Sequence, residues 1–253
     1  MSDTPGGLRI WRDEPDVLRV RLNRPESRNA QTPQMWADLR AVPDAVTDAI
    51  RFVVIDGSDP DFSAGLDRAL FIPGESEVSL LSLARGSAAN LEAFISEAQA
   101  AFSVWRALDA HVIAVVQGNA IGAGFQLALA ADLLVVHPEA RLVLRETALG
   151  IIPDLGAAAH LFPTLGYSRS LALTSGMPIT GAMAYDWGLA TISSTDPQAA
   201  AEELMGVLRH ANPGALRAVK DVLRLVDRGA DPWATERAVQ ITRMRELARE
   251  LPE

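Results

Sequence analysis

Two short segments of small residues could place backbone N–H groups around one carbonyl oxygen. They are residues 62–67 (FSAGLD) and residues 118–127 (GNAIGAGFQL). Each follows an apolar run typical of a buried strand, and small side chains leave the main chain open to a ligand. Two N–H groups that point at one oxygen form an oxyanion hole, which stabilises an enolate or a tetrahedral anion.

A carboxylic acid follows these segments. Glu146 lies twenty residues after Gln126, and its neighbours include the apolar Leu144, Leu149 and Ile151. Burial beside such residues would raise the pKa of the carboxyl towards the working pH, which suits a group that takes up and returns a proton. Two donors and one base together predict proton transfer next to an activated carbonyl.

The composition excludes several other chemistries. The 253 residues include no cysteine, which rules out thiol nucleophiles, disulfides, thiolate zinc sites and iron–sulfur clusters. Lys220 is the only lysine, so a Schiff base would have a single, poorly placed candidate. The four histidines have no ligand spacing, so we expect no metal and no separate cofactor.

The charge balance limits the partners. The formal net charge of −9 argues against broad nucleic-acid binding, although a few local arginines could still hold a phosphate-bearing ligand. No signal peptide is readable at the N-terminus, and no apolar stretch reaches a bilayer-spanning length. We therefore expect a cytoplasmic protein that does not bind membranes.

Hydrophobic periodicity predicts an α/β fold, in which strands and helices alternate. The predicted strands are residues 8–11, 17–22, 52–56, 112–116, 133–137 and 141–144. The predicted helices are 33–49, capped by Thr32 and opened by Pro33, then 88–108, 121–131 and one near 156–162. Residues 71–87 are interpreted as a mobile loop with a short helix.

The pattern also indicates how the chain is divided. The strand, loop and helix scheme of residues 52–70 recurs loosely at 112–131. From about residue 196 the pattern is wholly helical, with helices at 197–210, 213–226 and 232–251 that each carry a proline in the first turn. We predict a core of residues 1–195 and a C-terminal helical region of residues 196–253 that packs against a neighbouring subunit.

Five motifs in order resemble those of the crotonase superfamily, the enoyl-CoA hydratase/isomerase family. They are residues 22–30 (LNRPESRNA), 62–67, 114–132, 145–153 (RETALGIIP) and the helix near 167–176, within a resemblance that runs from about residue 8 to about residue 225. The resemblance implies a crotonase-like spiral of repeated ββα units with a C-terminal helical oligomerisation region. It also implies a homotrimer or a dimer of trimers, and an acyl-CoA thioester as substrate.

The resemblance assigns roles to particular positions. The N–H groups of Leu66 and Ala123 would be the oxyanion-hole donors, and Ala123 also lies near a predicted helix N-terminus, which favours negative charge. The positions that match coenzyme A contacts of the family are Arg24, Arg28, Ala30, Ala64 and Gly122.

One catalytic position departs from the family's hydratases. Those enzymes hold the reacting water between two glutamates, which match Gln126 and Glu146 of this chain. An amide cannot act as a general base at neutral pH, although it can position a water molecule. Isomerisation of a double bond needs only one base, and residues 146–152 resemble those of single-glutamate enoyl-CoA isomerases. We therefore favour an isomerase with Glu146 as proton shuttle over a hydratase that uses Gln126 and Glu146.

Two further alternatives remain open. Asp154 matches a catalytic aspartate of dienoyl-CoA isomerases, so it is a candidate second proton-transfer group. It also matches the nucleophile of aroyl-CoA dehalogenases, but Glu146 stands where those enzymes carry a tryptophan, so a nucleophilic role is not favoured. Finally, Gln126 in place of an acid could mark a non-catalytic acyl-CoA-binding protein, which would have no need of Glu146.

Overall fold

The structure, a computed structural model, describes residues 2–72 and 78–250. The strands in these ranges are β1 (Ser2–Asp3), β2 (Leu8–Glu14), β3 (Val17–Leu22), β4 (Phe52–Gly57), β5 (His111–Val116), β6 (Asn119–Ile121), β7 (Leu133–Val136), β8 (Arg141–Val143), β9 (Ile179–Thr180) and β10 (Ile192–Ser193). The α-helices are α1 (Pro33–Ala41), α2 (Leu80–Arg85), α3 (Ala88–Ser103), α4 (Ala123–Leu129), α5 (Ala157–Thr174), α6 (Gly181–Asp186), α7 (Pro197–Arg209), α8 (Pro213–Asp227) and α9 (Pro232–Glu250). Short 3-10 turns include Arg68–Phe71 and Glu146–Leu149.

A seven-stranded, mostly parallel sheet forms the centre of the molecule. Its strand order is β1-β2-β3-β4-β5-β7-β10, and only the pairings of β1 with β2 and of β2 with β3 are antiparallel. Every residue of β4 is buried, as expected of a parallel strand covered on both faces. The α/β class expected from the periodicity is confirmed.

A second, smaller sheet contains segments that follow strands of the large sheet. Strand β6 pairs in parallel with β8, which pairs antiparallel with β9. Isolated parallel bridges join Ser63 to Ala120 and Gln31 to Leu66, so the segment after each large-sheet strand pairs with the segment of the next repeat. The recurrence predicted between residues 52–70 and 112–131 is therefore present as two adjacent, hydrogen-bonded turns of the chain.

Helices cover both faces of the large sheet. One face packs against a core that includes Trp36 of α1, Phe102 of α3 and Phe125 of α4. The other face packs against Ala201 and Met205 of α7. The first helix of the C-terminal region thus contributes to the core, and the boundary at residue 196 stays a prediction.

The only lysine attaches α8 to this core. The buried ammonium group of Lys220 donates to the carbonyl oxygen of Ala110 at 2.7 Å and to Asp132 Oδ2 at 2.6 Å. Lys220 therefore has a structural role in this chain. Several apolar side chains of α8 and α9 remain exposed in the single chain, among them Val219, Leu223, Trp233, Ile241 and Met244.

Several predicted element boundaries need revision. Helix α1 begins as predicted, with Thr32 Oγ1 accepting from Met35 N, but it ends at Ala41 rather than near residue 49. Pro43 lies in the 3-10 turn Val42–Ala45 that follows, since proline cannot continue an α-helix. The helix predicted at 121–131 spans only Ala123–Leu129, because Ile121 pairs in β6 and Gly122 has a positive φ of 51°.

The segment interpreted as a mobile loop with a short helix is described only in part. Helix α2 confirms the short helix, and α3 begins at Ala88 with Ser87 as its N-cap. Residues 73–77 of that segment lie outside the described residues.

Candidate active site

A cavity of about 1180 Å³ lies between the small sheet and helices α2 and α3. Its wall brings together all five predicted catalytic positions: Leu66, Ala123, Gln126, Glu146 and Asp154. Ala64 and Gly122, predicted to contact coenzyme A, line the same cavity. Apolar side chains of α2 and α3 complete the wall, including Leu80, Phe94 and Ile95. The cavity is therefore the candidate active site.

The N–H groups of Leu66 and Ala123 are free for a ligand. Leu66 bridges to Gln31 through its neighbours, since Gln31 N donates to Gly65 O at 2.7 Å and Asp67 N donates to Gln31 O at 2.9 Å. In a parallel bridge of this kind the amide of the central residue points the other way. Ala123 is the first residue of α4, where backbone N–H groups have no intrahelical acceptor. Neither amide has a hydrogen-bond partner among the described residues.

Close contact between the two segments brings these amides together. Ile121 N donates to Ser63 O at 2.9 Å and Ser63 N donates to Asn119 O at 3.0 Å, which fixes their relative position. A methyl group added to Gly65 would collide with the carbonyl oxygen of Ile121 and would lie 3.5 Å from the nitrogen of Ala123. Gly65 also has a φ of +84°, a conformation that side chains rarely adopt. Only glycine fits this position.

The buried side chain of Gln126 has a fixed orientation. Its Oε1 accepts hydrogen bonds from Leu155 N at 2.9 Å and Ala157 N at 3.3 Å, and its Nε2 donates to Glu146 Oε1 at 2.8 Å. Backbone N–H groups can only donate, so the amide must present its oxygen to them and its nitrogen to Glu146. Gln126 thus acts as a hydrogen-bond donor towards the cavity.

Glu146 lies in the 3-10 turn that follows β8 and is only 8% exposed. Its Oε2 is buried and has no hydrogen-bond partner among the described residues, while Oε1 is held by Gln126. Burial raises the pKa of this carboxyl, and the hydrogen bond from Gln126 acts in the opposite direction. A methyl group at Gly122 would come within 3.1 Å of Oε1, so the glycine leaves room for the carboxyl group.

Asp154 lines the same cavity. Burial raises the pKa of its carboxyl, and its charge contributes to raising the pKa of Glu146. Its main-chain carbonyl accepts a hydrogen bond from Gln99 Nε2 of α3 at 2.8 Å. The arrangement allows Asp154 to act as a second proton-transfer group, which stays a prediction.

Three positions matched to coenzyme A contacts do not line the cavity. Arg24 donates to the carbonyl oxygen of Ala30 at 2.7 Å and to Asp67 Oδ2 at 3.2 Å, so its guanidinium supports the loop. The side chain of Arg28 is 70% exposed, with Asp61 at 3.9 Å. Contacts of Arg24, Arg28 and Ala30 with coenzyme A remain predictions.

Three other arginines, which the sequence reasoning missed, do line the cavity: Arg68, Arg141 and Arg145. Arg141 and Val143 lie two residues apart on β8, and Arg145 lies two residues further on. The side-chain period of two along a strand would have placed Arg141 and Arg145 on the side of Val143, which also lines the cavity, but it says nothing of Arg68.

Neither a metal-binding cluster nor a membrane-spanning helix occurs in the described part of the chain. Ranges 2–72 and 78–250 contain no group of three or more His, Cys, Asp or Glu side chains arranged to hold a metal ion. None of their helices combines the length and apolarity that crossing a membrane requires.

Comparison with known proteins identifies the family. Residues 12–244 match the model of the enoyl-CoA hydratase/isomerase family. Carnitinyl-CoA dehydratase from Salmonella typhi is 31% identical over 223 residues, which cover 86% of this chain and 80% of that protein. The chain therefore belongs to the enoyl-CoA hydratase/isomerase family of enzymes.

Solved structures agree with this assignment. A protein from Thermobifida fusca YX described as an enoyl-CoA hydratase, in complex with CoA, has a TM-score of 0.88 and 34% identity, covering 96% of this chain and 95% of that chain. The same protein in complex with acetoacetyl-CoA also has a TM-score of 0.88. An enoyl-CoA hydratase from Polaromonas sp. JS666 has a TM-score of 0.82 and 27% identity, covering 93% and 90% of the two chains. The predicted crotonase fold and the resemblance to this superfamily are confirmed.

Proposed function

We propose that this protein shifts the double bond of an enoyl-CoA thioester, with Glu146 as the proton shuttle. The observation that carries the proposal is the pairing of Glu146 with Gln126: one side chain can take up a proton, and the other is a neutral amide that donates a hydrogen bond to it. Double-bond isomerisation needs only one such base and no second acid.

The thioester oxygen would bind the N–H groups of Leu66 and Ala123. As the α-proton leaves, negative charge moves onto that oxygen, and donors already in place stabilise it without reorganisation. Each such donor contributes about 3–4 kcal/mol to stabilisation of the transition state. The hydrogen bonds between residues 63 and 119–121 support this geometry.

The proton would move from C2 to C4 through one carboxyl group. The carboxylate of Glu146 removes a proton from C2 of a 3-enoyl-CoA, and the electron pair of that C–H bond forms a dienolate. The same carboxyl then delivers a proton to C4, which leaves the double bond between C2 and C3. The raised pKa of Glu146 suits both steps. A carboxyl group whose pKa lies near the working pH can take up a proton in the first step and release it in the second.

Hydration is the second candidate function, because the similar proteins are named as dehydratases and hydratases. Carnitinyl-CoA dehydratase and the enoyl-CoA hydratases add or remove water, and each covers most of this chain. The amide of Gln126 could orient a water molecule, but Glu146 alone would have to deprotonate it. We therefore propose hydration as a slower reaction of the same site.

The dienoyl-CoA isomerase alternative depends on Asp154. Its carboxyl group lines the cavity, as a second proton-transfer group would have to. We retain a homotrimer or a dimer of trimers as a proposal, supported by the apolar side chains that α8 and α9 expose in the single chain.

Incubation in deuterated water distinguishes these functions. The purified protein would be given 2-enoyl-, 3-enoyl- and 3,5-dienoyl-CoA, and the products analysed by mass spectrometry. Deuterium uptake with double-bond migration and little water addition supports the proposal, whereas dominant water addition supports a hydratase. Uptake that Asp154→Asn abolishes for the dienoyl substrate only would assign that reaction to Asp154.

Substitution of the base provides the control. Glu146→Gln should lower the rate of exchange by about 10²–10⁴-fold, the usual contribution of a positioned base, while acyl-CoA binding stays close to that of the parent protein. Near-normal exchange in this variant would refute the role of Glu146. Binding without any exchange in the parent protein would indicate a non-catalytic acyl-CoA-binding protein.

A further inference from the structure

Arg145, the residue that precedes the candidate base, has no counter-ion among the described residues. It immediately precedes Glu146 and lines the cavity, yet its guanidinium makes no hydrogen bond or ion pair with the described residues. Arg19, Arg21 and Arg209, by contrast, each bind an aspartate or a glutamate of this chain. Arg145 is therefore available to bind an anion.

The acids that share the cavity wall do not neutralise Arg145. Burial raises the pKa values of both Glu146 and Asp154, which weakens the negative charge that each presents. Neither carboxyl group forms an ion pair with Arg145 in the described ranges. The helices opposite contribute apolar side chains, including Phe94 and Ile95, so they add no competing anion at those positions.

Arg145 lies just after the C-terminal end of β8, the end at which Glu146 also lies. Strands β6 and β8 run in parallel, and Ala123 and Glu146 both follow the C-terminal ends of those strands. Arg145 lies at that same end. Arg141 lies at the N-terminal end of β8, roughly 13 Å away along an extended chain. Arg145 thus lies at the same end of β8 as Glu146, while Arg68, also in the cavity wall, follows Leu66.

We propose that Arg145 binds a carboxylate carried by the acyl group, so that the preferred substrates are CoA monothioesters of dicarboxylic acids. The proposal rests on the proposed function for the reaction itself and adds the class of acyl group. A guanidinium holds a carboxylate through two parallel hydrogen bonds, which lysine or glutamine cannot reproduce.

Binding measurements test this without any turnover. Saturated probes would be compared in pairs of equal chain length: succinyl- with butyryl-CoA, glutaryl- with valeryl-CoA, and adipyl- with hexanoyl-CoA, by isothermal titration calorimetry. At least one carboxylate probe should bind about tenfold or more tightly than its neutral partner, as expected of a charge-assisted hydrogen bond. Equal affinity within every pair would overturn the proposal.

Variants assign the effect to one residue. Arg145→Gln should abolish the preference for the carboxylate while leaving the affinity for the neutral probe unchanged, which also shows that the variant is folded. Arg145→Lys should retain part of the preference. Arg141→Gln and Arg40→Gln, the latter an exposed arginine outside the cavity wall, should leave the preference intact.

The remaining outcomes are equally decisive. If Arg145→Gln weakens both members of a pair by the same factor, Arg145 contacts coenzyme A itself and the proposal is wrong. Tighter binding of an acyl-CoA that ends in a trimethylammonium group would also contradict it. Because the probes do not react, a carboxylate preference without deuterium exchange would support this inference while refuting the proposed isomerase.

Discussion

The amide of Gln126 and the carboxyl group of Glu146 are joined by one hydrogen bond of 2.8 Å, and two backbone N–H groups determine its direction. The amide oxygen is fully engaged by Leu155 and Ala157. The carboxyl group therefore receives a donor on Oε1, while Oε2 has no partner among the described residues. The two facing side chains therefore differ in chemistry, because only the carboxyl group can accept a proton. This difference supports a reaction that uses one base.

Replacement of Gln126 by leucine should reduce stability and change the pH dependence. Two buried N–H groups would lose their acceptor, at a cost of about 1–3 kcal/mol each. Glu146 would lose a hydrogen bond that lowers its pKa, so the acidic limb of the rate profile should move to higher pH. Urea unfolding and the pH profile of deuterium exchange would measure the two effects.

The matched control is Gln99→Leu. Gln99 also donates through its amide, to the carbonyl oxygen of Asp154, but it is exposed to water. Its loss should leave the acidic limb in place and change stability by less than about 1 kcal/mol. An unchanged limb in Gln126→Leu would contradict the role given to the Gln126–Glu146 hydrogen bond.

Gly65→Ala should impair catalysis by separating the two N–H donors. The added methyl group would collide with the carbonyl oxygen of Ile121, and the backbone at φ +84° disfavours any side chain. The segments that carry Leu66 and Ala123 would have to move apart. We expect kcat to fall by about 10²-fold or more, the usual effect of losing one oxyanion donor. Steady-state kinetics with a 3-enoyl-CoA would measure the loss.

Gly229→Ala is the control that tests backbone strain at a positive φ without a steric collision. Gly229 has a similar φ of +91°, but a methyl group there would have no heavy atom within 4 Å. It should therefore lose about 1–2 kcal/mol of stability, with kcat unchanged. Equal kcat values for the two variants would show that the approach of residue 65 to residues 121–123 is irrelevant to the reaction.

Glu146→Gln should make the protein less sensitive to rising pH. The pKa of Glu146 is raised in the folded state, so the native protein holds this proton more tightly than the unfolded chain does. Stability is therefore lost as the pH rises through the ordinary value of 4.5 to the raised value, and the penalty persists above it. Glutamine removes the penalty and can still accept the hydrogen bond from Gln126.

Thermal unfolding between pH 4 and pH 8 measures this difference. Above the folded pKa the variant should be more stable than the parent protein, and the two should converge at the acidic end. A variant that is less stable at neutral pH would mean that the ionised carboxyl stabilises the fold, contrary to the direction of its pKa shift.

His160 should contribute to acid sensitivity in the opposite direction. Burial lowers its pKa from 6.5 to about 4, and nearby Arg106 adds to the effect. The unfolded chain takes up this proton first, so stability is lost as the pH falls from 6.5 towards 4, by up to roughly 3 kcal/mol. In His160→Gln this part of the loss should disappear, which urea titrations at several pH values would measure. Identical slopes for both proteins would exclude the burial of a neutral imidazole.

Much of the site could be predicted from the sequence because its signals are local. The small residues of the two segments predict backbone N–H groups that are open to a ligand. The family resemblance then assigns these segments to the same site as Gln126, Glu146 and Asp154. The structure places residues 64–66 and 121–123 of the two segments in one cavity wall with Gln126, Glu146 and Asp154. Their catalytic roles stay predictions until the exchange experiments are done.

Other features depend on pairing between distant parts of the chain. Asn29 is fully buried with a φ of +55°, and its side chain donates to the carbonyl oxygens of Ser58 and Asp61. Nothing in the motif around it specifies those partners. Arg145 was missed for another reason: an arginine is usually a solvated charge, so its spacing from Val143 was not interpreted as a sign of a binding site.

The parallel bridge between Ser63 and Ala120 has a consequence for how such a chain can change over time. The two amide donors belong to neighbouring turns that are bonded directly to each other, whereas the opposite wall of the cavity comes from α2 and α3. Insertions or substitutions in those helices can reshape the cavity without disturbing the two segments that carry Leu66 and Ala123. Substrate preference and reaction chemistry are thereby free to diverge separately within this scaffold.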